Sequence, residues 1–256
     1  GAGELYERYV GRWSRLVARE FLAWLAVPEG KSWVDVGCGT GGLVEGILSN
    51  HAPSAVTGVD RSTGFIAQAR RTITDERVRF EVGDALQLPL ASDSSDATVS
   101  GLVLNFVTDH TAMVQEMSRV TKPGGKVAAY VWDYAGDMQM MRTFWDAAIT
   151  VSAQAAQLDQ GERFPICQPQ PLHTLFHALG FKDITVRPID ISTVFQDFAD
   201  YWTPFLGGQG SAPTYLASVD EETREQIRQL LQARLIPRAD GPISLTARAW
   251  AVQGVV

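Results

Sequence analysis

A short apolar segment that runs into a glycine-rich turn constrains this chain more than any other feature. Residues 34–43 read Val-Asp-Val-Gly-Cys-Gly-Thr-Gly-Gly-Leu, and an amphipathic segment follows them. This order predicts a β-strand, a tight turn and an α-helix. Because Gly37, Gly39 and Gly41 carry no Cβ atom, the backbone of the turn can lie against a ligand, and free N–H groups of the helix N-terminus point toward it. The segment therefore predicts a site for a nucleotide-like cofactor.

Charge, rather than glycine spacing, indicates which cofactor this is. Together with Gly42, the first two glycines also fit the Gly-x-Gly-x-x-Gly pattern of dinucleotide-binding turns. Asp35 precedes the turn, however, and Asp60 and Asp84 end the next two predicted strands. The carboxyl ends of neighbouring parallel strands line one crevice, so we expect these side chains to converge there. Such an acidic crevice repels a pyrophosphate and attracts a ligand with sulfonium and ammonium groups, such as S-adenosylmethionine.

Strand-like and helix-like segments alternate along the chain. The predicted helices are 12–26, 42–49, 63–72, 110–121, 137–158 and 171–179, and the predicted strands are 32–36, 55–59, 77–82, 96–104, 126–132 and 182–187. This alternation indicates an α/β fold with a parallel sheet covered by helices on both faces. With 256 residues, 45% of them hydrophobic, the chain is long enough to bury a full core.

Charge and cysteine content restrict the expected partners and compartment. The formal net charge is −7 at pH 7 and no stretch is rich in Lys or Arg, so nucleic acid is not an expected partner. The two cysteines, Cys38 and Cys167, do not indicate a disulfide framework. The first residues lack the order of a signal peptide, and no apolar run approaches the ~20 residues that span a bilayer. We therefore expect a cytoplasmic protein without membrane insertion, either a monomer or a homodimer.

Six motifs, in this order and spacing, resemble those of one enzyme family. They are Tyr-Val-Gly-Arg-Trp-Ser at 9–14, Val-Asp-Val-Gly-Cys-Gly-Thr-Gly at 34–41, Gly-Val-Asp-Arg-Ser at 58–62, Gly-Asp-Ala-Leu-Gln-Leu-Pro-Leu at 83–90, Asp-Ala-Thr-Val-Ser-Gly-Leu-Val-Leu-Asn-Phe at 96–106 and Lys-Pro-Gly-Gly-Lys-Val at 122–127. The sequence is similar to class I S-adenosylmethionine-dependent methyltransferases of the small-molecule type (methyltransferase type 11), which include ubiquinone and menaquinone biosynthesis methyltransferases. The resemblance covers roughly residues 5–135.

The resemblance implies a Rossmann-like, doubly wound sheet of seven strands, the last antiparallel, and the pattern of the segment before that strand indicates a helical cap insertion. The expected parts are a core with an N-terminal lid helix at 1–189, the cap at 190–243 and the final strand at 244–256. One cap helix is expected to carry Phe195 and Trp202, and a second to begin near the capping pair Ser218 and Glu221. We expect the cap to cover the acceptor pocket.

The resemblance and the chemistry together assign the cofactor contacts around the turn. The methionyl and ribose portions are expected to meet backbone groups of Gly37, Cys38, Gly39 and Thr40. Asp60 is expected to accept hydrogen bonds from two ribose hydroxyls. Arg61 and Phe65 are expected to flank the adenosine, although Phe65 is alternatively a core residue. Asp35 either contributes through water or orients the turn.

Further cofactor contacts are expected at the ends of the third and fourth strands. Asp84 is expected to take the exocyclic amine of adenine, and the Ala85 N–H a ring nitrogen, with Leu86 beside them. The alternative for Asp84 is an Asx turn. Ser100 and Gly101 are expected to present backbone carbonyls to the methionyl ammonium group.

The segment 9–14 resembles the N-terminal lid of the family. This places Tyr9, Arg12 and Trp13 over the cofactor, with Arg12 able to hold its carboxylate and Tyr9 assigned to the acceptor. The alternatives are a surface ion pair for Arg12 and a core position for Trp13.

The acceptor is the least determined part of the site. Asn105 stands where relatives commonly carry a histidine, so we expect it to orient the acceptor rather than deprotonate it. Trp132 and Trp202 are assigned to the acceptor as well, and the seven tryptophans indicate an apolar or aromatic molecule. No catalytic residue is assigned.

Neither a nucleophilic cysteine nor a metal is expected. No histidine lies near Cys38 to activate its thiol. His173 and His177 have a metal-compatible spacing but lack a neighbouring carboxylate or cysteine cluster.

The sequence thus predicts a methyltransferase that moves a methyl group from S-adenosylmethionine to an O, N or C atom of a small molecule. Two alternatives remain open at this point: an NAD(P)-dependent oxidoreductase that uses the same glycine turn, and a non-catalytic domain that binds S-adenosylmethionine.

Overall fold

A computed structural model describes residues 11–207, 210–235 and 242–256. The strands are β1 Ser32–Val36, β2 Ala55–Asp60, β3 Val78–Val82, β4 Ser95–Gly101, β5 Thr121–Trp132, β6 Lys182–Phe195 and β7 Ile243–Val255. The α-helices are α1 Arg12–Leu25, α2 Gly42–His51, α3 Thr63–Thr72, α4 His110–Val120, α5 Gln139–Val151, α6 Gln160–Arg163, α7 Pro169–Ala178, α8 Phe198–Trp202, α9 Ser211–Ser218 and α10 Glu221–Leu235. Short 3₁₀ helices lie at Leu104–Phe106, Ala153–Leu158 and Thr203–Gly207.

The seven strands form one sheet in the order β3-β2-β1-β4-β5-β7-β6. The pairs β1–β2, β2–β3, β1–β4 and β4–β5 are parallel. β7 runs antiparallel to β5, because Gly124 donates to the carbonyl of Val256 while Asp133, further along, donates to that of Arg248. The predicted Rossmann-like α/β fold with an antiparallel last strand is therefore confirmed.

The central strands are buried because helices cover them. In β1, Trp33 to Val36 are all buried, and α4 turns Met113, Val114, Met117 and Val120 toward the core. The Asp109 carboxylate caps α4 by accepting from the Ala112 N–H at 2.9 Å, and the Ser62 hydroxyl caps α3 by accepting from the Phe65 N–H at 3.2 Å. These caps satisfy backbone donors at the helix starts that follow the sheet's carboxyl edge.

The described chain divides into two compact units. The first, called here the glycine-turn unit, comprises Arg15–Val131, Gln168–Ile189 and Trp250–Val256. The second, called here the aromatic unit, comprises the described residues up to Ser14, Trp132–Cys167 and Asp190–Ala249. Residues of the predicted core segment 1–189 are thus shared between both units, and 132–167 group with most of the predicted cap segment.

The aromatic unit is held together by rings and buried ion pairs. The Phe144 and Phe205 rings stack with centroids 4.7 Å apart, and the Tyr201 hydroxyl donates to the carbonyl of Met140 at 2.9 Å. The Arg142 guanidinium donates to both oxygens of Asp159 at 3.0 and 2.7 Å. Aromatic contacts and paired charges of this kind stabilise a small core beyond simple area burial.

Several predicted boundaries are wrong. In the sheet, β4 ends at Gly101 and not at 104, and β5 begins at Thr121 and not at 126. The helix predicted at 137–158 ends at Val151 and gives way to a 3₁₀ helix. The strand predicted at 182–187 continues to Phe195, since every second residue from Ile189 onward is buried, the two-residue period of a strand. Phe195 therefore lies in β6 and not on a helix with Trp202.

The predicted capping pair of the last helix, Ser218 and Glu221, is wrong, and the Glu221 carboxylate accepts from the Arg224 guanidinium at 2.8 Å. The Asp220 carboxylate accepts from the Thr223 N–H at 2.8 Å, so Asp220 caps α10. The Ser218 hydroxyl instead donates to the carbonyl of Tyr215 at 2.7 Å, within the preceding helix. Among the described residues, none of the helices is long and apolar enough to cross a membrane.

Candidate cofactor site

The turn after β1 contains three glycines with left-handed backbone. Gly37, Gly39 and Gly41 have φ angles of +76°, +55° and +97°, a region that other residues enter at a cost. A Cβ on Gly37 would meet the Val103 side chain at 2.5 Å, and one on Gly41 would overlap Ile73. A Cβ on Gly39 would meet nothing within 4 Å. Gly37 and Gly41 are thus packed against the protein, whereas Gly39 borders open space.

Asp60, at the end of β2, fixes this turn. Its Oδ2 accepts from the Gly39 N–H at 2.9 Å and its Oδ1 from the Ser62 N–H at 2.8 Å. Two further N–H groups of the turn, from Gly37 and Cys38, donate to the carbonyl of Val59. A carboxylate oxygen accepts more than one hydrogen bond, so both oxygens of the half-buried Asp60 retain capacity for a ligand.

Asp35 is buried, and the described residues give its carboxyl group no hydrogen-bond partner. It lies in β1 between Gly58 of β2 and Val99 of β4, is 1% exposed, and neither carboxylate oxygen accepts a hydrogen bond within the described part of the chain. Burial, and secondarily repulsion from Asp60, raises its pKa to about 8. The site therefore holds a carboxyl group that a nearby positive charge would ionise.

Cys38 shares this environment. It is 6% exposed, and burial, with smaller contributions from the charges of Asp35 and Asp60, raises the pKa of its thiol. A thiolate is disfavoured there, in line with the prediction that Cys38 is not a nucleophile.

The segment after β3 forms the Asx turn that was the alternative for Asp84. Its Oδ1 accepts from the Leu86 N–H at 2.9 Å, while the Asp84 side chain stays exposed and Ala85 is half-buried. The turn does not occupy the second carboxylate oxygen, so the adenine role of these residues stays a prediction.

Two residues at the start of α3 are accessible. Phe65 is 38% exposed, so its alternative role as a core residue is wrong, and Arg61 is exposed as well. Both remain available to flank a nucleoside.

The end of β4 is closely packed. The Ser100 hydroxyl donates to the carbonyl of Val36 at 2.7 Å, and a Cβ on Gly101 would meet the Tyr130 hydroxyl at 2.5 Å. Leu102 follows with φ +61°. Asn105, in the 3₁₀ turn after it, is 4% exposed, and neither its Oδ1 nor its Nδ2 has a partner in the described chain.

Sequence reasoning missed the contribution of the 102–103 segment. Val103 packs against Gly37. Leu102, directly after the end of β4, has a left-handed backbone. Apolar residues carry no sequence signal for such a role, because their contacts become visible only when β1 and β4 are paired.

Several other predicted residues lie in the aromatic unit. The Arg12 guanidinium pairs with Asp200 at 3.1 Å and lies over the rings of Trp13 and Phe195, 4.3 and 5.0 Å from their centroids. The ion-pair alternative for Arg12 is thus realised, as is burial of Trp13, which is 8% exposed. Their cofactor roles stay predictions.

The predicted acceptor residues of this unit are buried as well. Trp132 is 2% and Trp202 8% exposed, and Trp202 stacks on Phe198 with ring centroids 6.2 Å apart. Tyr9 lies outside the described residues. Within the described ranges, no group of three His, Cys, Asp or Glu side chains could hold a metal ion.

Comparison with known proteins decides the family. A profile described as "Methyltransferase domain" matches residues 34–129, a range that contains the glycine turn, β2 to β4 and most of β1 and β5. A demethylmenaquinone methyltransferase of Roseiflexus sp. is 30% identical over 185 residues, which cover 66% of this chain and 76% of that relative. This chain belongs to the S-adenosylmethionine-dependent methyltransferases.

A second relative agrees with this family, and a solved structure agrees with the fold. The methyltransferase is 35% identical over 135 residues to a demethylmenaquinone methyltransferase of Halalkalibacterium halodurans, covering 48% of this chain and 55%, about half, of that relative. A phosphoethanolamine N-methyltransferase 2 of Haemonchus contortus, solved with phosphomonomethylethanolamine and S-adenosylhomocysteine, superposes with a TM-score of 0.62 at 19% identity over 98% of this chain and 56% of that chain. At this identity the structure supports the fold alone.

The residues present in the methyltransferase fit the family's cofactor, S-adenosylmethionine. An unpaired buried carboxyl group at Asp35 can offset a positive charge, and the space beside Gly39 allows a ligand to lie against the backbone. A dinucleotide would bring its pyrophosphate to these carboxylates, so the oxidoreductase alternative is not favoured.

Proposed function

We propose that this chain transfers a methyl group from S-adenosylmethionine to an O, N or C atom of a small, apolar or aromatic molecule. The observation that carries the proposal is the buried, unpartnered Asp35 beside Asp60 at the glycine turn. Demethylmenaquinone, in the names of two relatives, is a molecule of this class. We further propose that the protein acts in the cytoplasm and that segment 190–243 helps to select the acceptor.

S-adenosylmethionine would supply a methyl group on a positively charged sulfur. The acceptor atom would bond to the methyl carbon as the carbon–sulfur bond breaks, which releases S-adenosylhomocysteine and a proton from the acceptor. In the proposal, the backbone of the glycine turn holds the methionyl and ribose portions and Asp60 accepts from the ribose hydroxyls. Asp35 ionises opposite the positive charge of the cofactor. Asp60 is already fixed by the fold, since its carboxylate accepts from two backbone N–H groups.

Positioning accounts for most of the proposed rate enhancement. Direct displacement at a methyl carbon needs an aligned nucleophile and the exclusion of water more than it needs an acid or base, and alignment alone supplies effective molarities of about 10⁵ M or more. A thiolate at Cys38 is disfavoured by its surroundings, so a covalent route through that residue is not proposed.

Calorimetric titration with S-adenosylhomocysteine and with NAD tests the proposal directly. We expect S-adenosylhomocysteine to bind and NAD not to bind, and Asp60→Ala to weaken S-adenosylhomocysteine binding at least tenfold, because charge-assisted hydrogen bonds contribute about 1.5–3 kcal/mol. Asp75→Ala is the matched control. The Asp75 carboxylate also accepts from a backbone N–H, that of Arg77 at 2.9 Å, but Asp75 lies before the amino end of β3, whereas Asp60 ends β2.

Three results would contradict the proposal. Tight NAD binding without S-adenosylhomocysteine binding would favour an oxidoreductase. Equal dissociation constants for the wild type and Asp60→Ala would remove Asp60 from the site. Cofactor binding without methyl transfer to any phenol, hydroquinone or amine in a broad panel would favour a non-catalytic domain.

A further inference from the structure

The carboxamide of Asn105 is buried, and the described residues offer it no hydrogen-bond partner. The residue is 4% exposed, and neither Oδ1 nor Nδ2 finds a donor or acceptor in the described chain. Buried polar groups in native proteins are almost always hydrogen-bonded, because an unmade hydrogen bond costs free energy. A pair of unmet groups on one side chain therefore indicates a ligand that supplies both partners.

The position of Asn105 relates it to the cofactor turn. It lies in the 3₁₀ helix Leu104–Phe106, four residues after the end of β4. Val103 of the same segment contacts Gly37 closely enough that a Cβ there would meet it at 2.5 Å. The segment is thus fixed against the turn that the proposed function assigns to the methyl donor.

The backbone of this segment is constrained as well. Leu102 has φ +61°, a left-handed conformation that is unfavourable for a leucine, and its N–H donates to the carbonyl of Tyr130 at 2.8 Å. Strained backbone of this kind persists where the surrounding structure holds a segment for a function. Phe106, the neighbour of Asn105, is 57% exposed, so the turn lies at the surface of the glycine-turn unit.

We propose that Asn105 binds and orients the methyl acceptor, and that the acceptor presents an uncharged hydroxyl group to it. This inference rests on the proposed function and names the class of its substrate. The carboxamide offers donors on Nδ2 and an acceptor on Oδ1, and a hydroxyl group both donates and accepts, so it satisfies both. A phosphate or carboxylate would serve only Nδ2, and an ammonium group only Oδ1.

The amide also restricts what Asn105 does in the reaction. A carboxamide neither gains nor loses a proton near neutral pH, so Asn105 is a positioning residue and not a base. Because both polar atoms are covered in the free protein, acceptor binding involves a local movement of side chains around the 3₁₀ turn. Hydroxylated apolar rings, such as phenols and hydroquinones, are the acceptors that match these properties.

The test compares Asn105→Leu with Asn50→Leu. Leucine matches the shape of asparagine without its hydrogen-bonding groups, and Asn50 is an exposed amide on α2 that donates to the carbonyl of Gly46 at 2.7 Å. Three measurements are made on each variant: the Tm of the free protein, the affinity for S-adenosylhomocysteine, and kcat and KM with a monoprenylated 1,4-naphthohydroquinone as the probe.

We expect Asn105→Leu to keep or raise the Tm of the free protein, because it removes two unmet polar groups. Its affinity for S-adenosylhomocysteine should stay within twofold of the wild type, while kcat/KM for the naphthohydroquinone falls at least tenfold, mainly through KM. Asn105→Gln, which keeps the carboxamide, should recover part of that loss. Asn50→Leu should leave both the affinity and kcat/KM unchanged.

Different failures separate this inference from the proposed function. A lower Tm together with weaker S-adenosylhomocysteine binding in Asn105→Leu would show a structural or cofactor role and overturn the inference. So would wild-type methylation of phosphoethanolamine but not of the naphthohydroquinone, although methyl transfer itself would then stand. A wild type that binds no S-adenosylhomocysteine would instead remove the proposed function on which the inference rests.

Discussion

Two buried aspartates, one in each compact unit, have opposite surroundings. Asp159 of the aromatic unit is 4% exposed and accepts three hydrogen bonds, two from Arg142 and one from the Gly161 N–H at 2.8 Å. Asp35 of the glycine-turn unit is 1% exposed and accepts none from the described residues. Two buried amides repeat the contrast: Gln160 accepts from the Trp145 indole at 3.3 Å, whereas the Asn105 amide has no partner in the part of the chain that the structure describes.

The contrast separates polar groups that stabilise the fold from groups that are present for a ligand. A buried charge stabilises a protein only when its hydrogen-bonding capacity is met, as at Asp159. An unmet carboxyl or amide group lowers stability, so its presence needs another reason. Asp35 lies in the strand that leads into the glycine turn and Asn105 follows the neighbouring strand β4, where an α/β sheet binds its ligands.

Removing the paired carboxylate, Asp159, should have a large effect on stability. Asp159→Ala leaves the Arg142 guanidinium, 20% exposed, without its bidentate partner, so we expect the free energy of unfolding to fall by about 3 kcal/mol. Asp146→Ala is the control, because Asp146 binds the same arginine at 2.8 Å but is 54% exposed; it should cost less than about 1 kcal/mol. Urea denaturation measures both, and equal losses would contradict the assignment of Asp159 as the stabilising partner.

Alanine substitutions at two glycines of the cofactor turn should also differ, one lowering mainly stability and the other mainly ligand affinity. Gly37→Ala adds a clash with Val103 to the cost of a left-handed alanine, and we expect a loss of about 2–3 kcal/mol in unfolding free energy. Gly39→Ala meets no neighbouring atom within 4 Å and should cost only about 1 kcal/mol. Its methyl group would instead intrude on the ligand, so S-adenosylhomocysteine affinity should fall while the fold persists. A Gly39→Ala variant with normal affinity would place the cofactor elsewhere.

The central part of the sheet was predictable because its signals are local. The strand 32–36 and the helix 63–72 have the predicted bounds, since apolar runs, glycines and a capping serine mark both ends within a few residues. The residues after Trp132 lacked such marks. The sequence predicted Phe195 and Trp202 on one helix, yet Phe195 belongs to a strand whose two-residue alternation of buried residues starts only at Ile189.

The sequence predicted the residue types of the candidate site, but not their hydrogen bonding or burial. Carboxylates after successive strands pointed to Asp35 and Asp60, and the structure brings this pair together electrostatically at the turn. Sequence alone could not show that Asp60 is bound to Gly39 while Asp35 has no partner. Hydrogen bonding and burial depend on residues far apart in the chain, such as Val103 beneath Gly37.

The effect of the unpaired member, Asp35, depends on pH. Asp35 has its pKa raised to about 8 in the folded chain, whereas an unfolded aspartate ionises near pH 4. Between about pH 4 and pH 8 the folded state holds a proton that the unfolded state has lost. Stability from this group is therefore fully present below pH 4 and is lost as the pH rises through 8, with a slope of at most about 1.4 kcal/mol per pH unit.

Asp35→Asn removes this titration while keeping the shape of the side chain. In urea denaturation of the ligand-free protein, we expect the variant to gain stability relative to the wild type as the pH is raised from 5 to 8. Asp75→Asn is the opposite control: hydrogen bonds from Arg77 lower the pKa of Asp75 to about 2, so its contribution is present above pH 4, is lost only toward acid, and stays constant from pH 5 to 8. Parallel curves for the wild type and Asp35→Asn would mean that Asp35 finds a partner or solvent in the folded chain. Asp35 would then not differ from Asp159 in having an unmet hydrogen-bonding capacity, and the proposed cofactor site at the turn would lose its principal support.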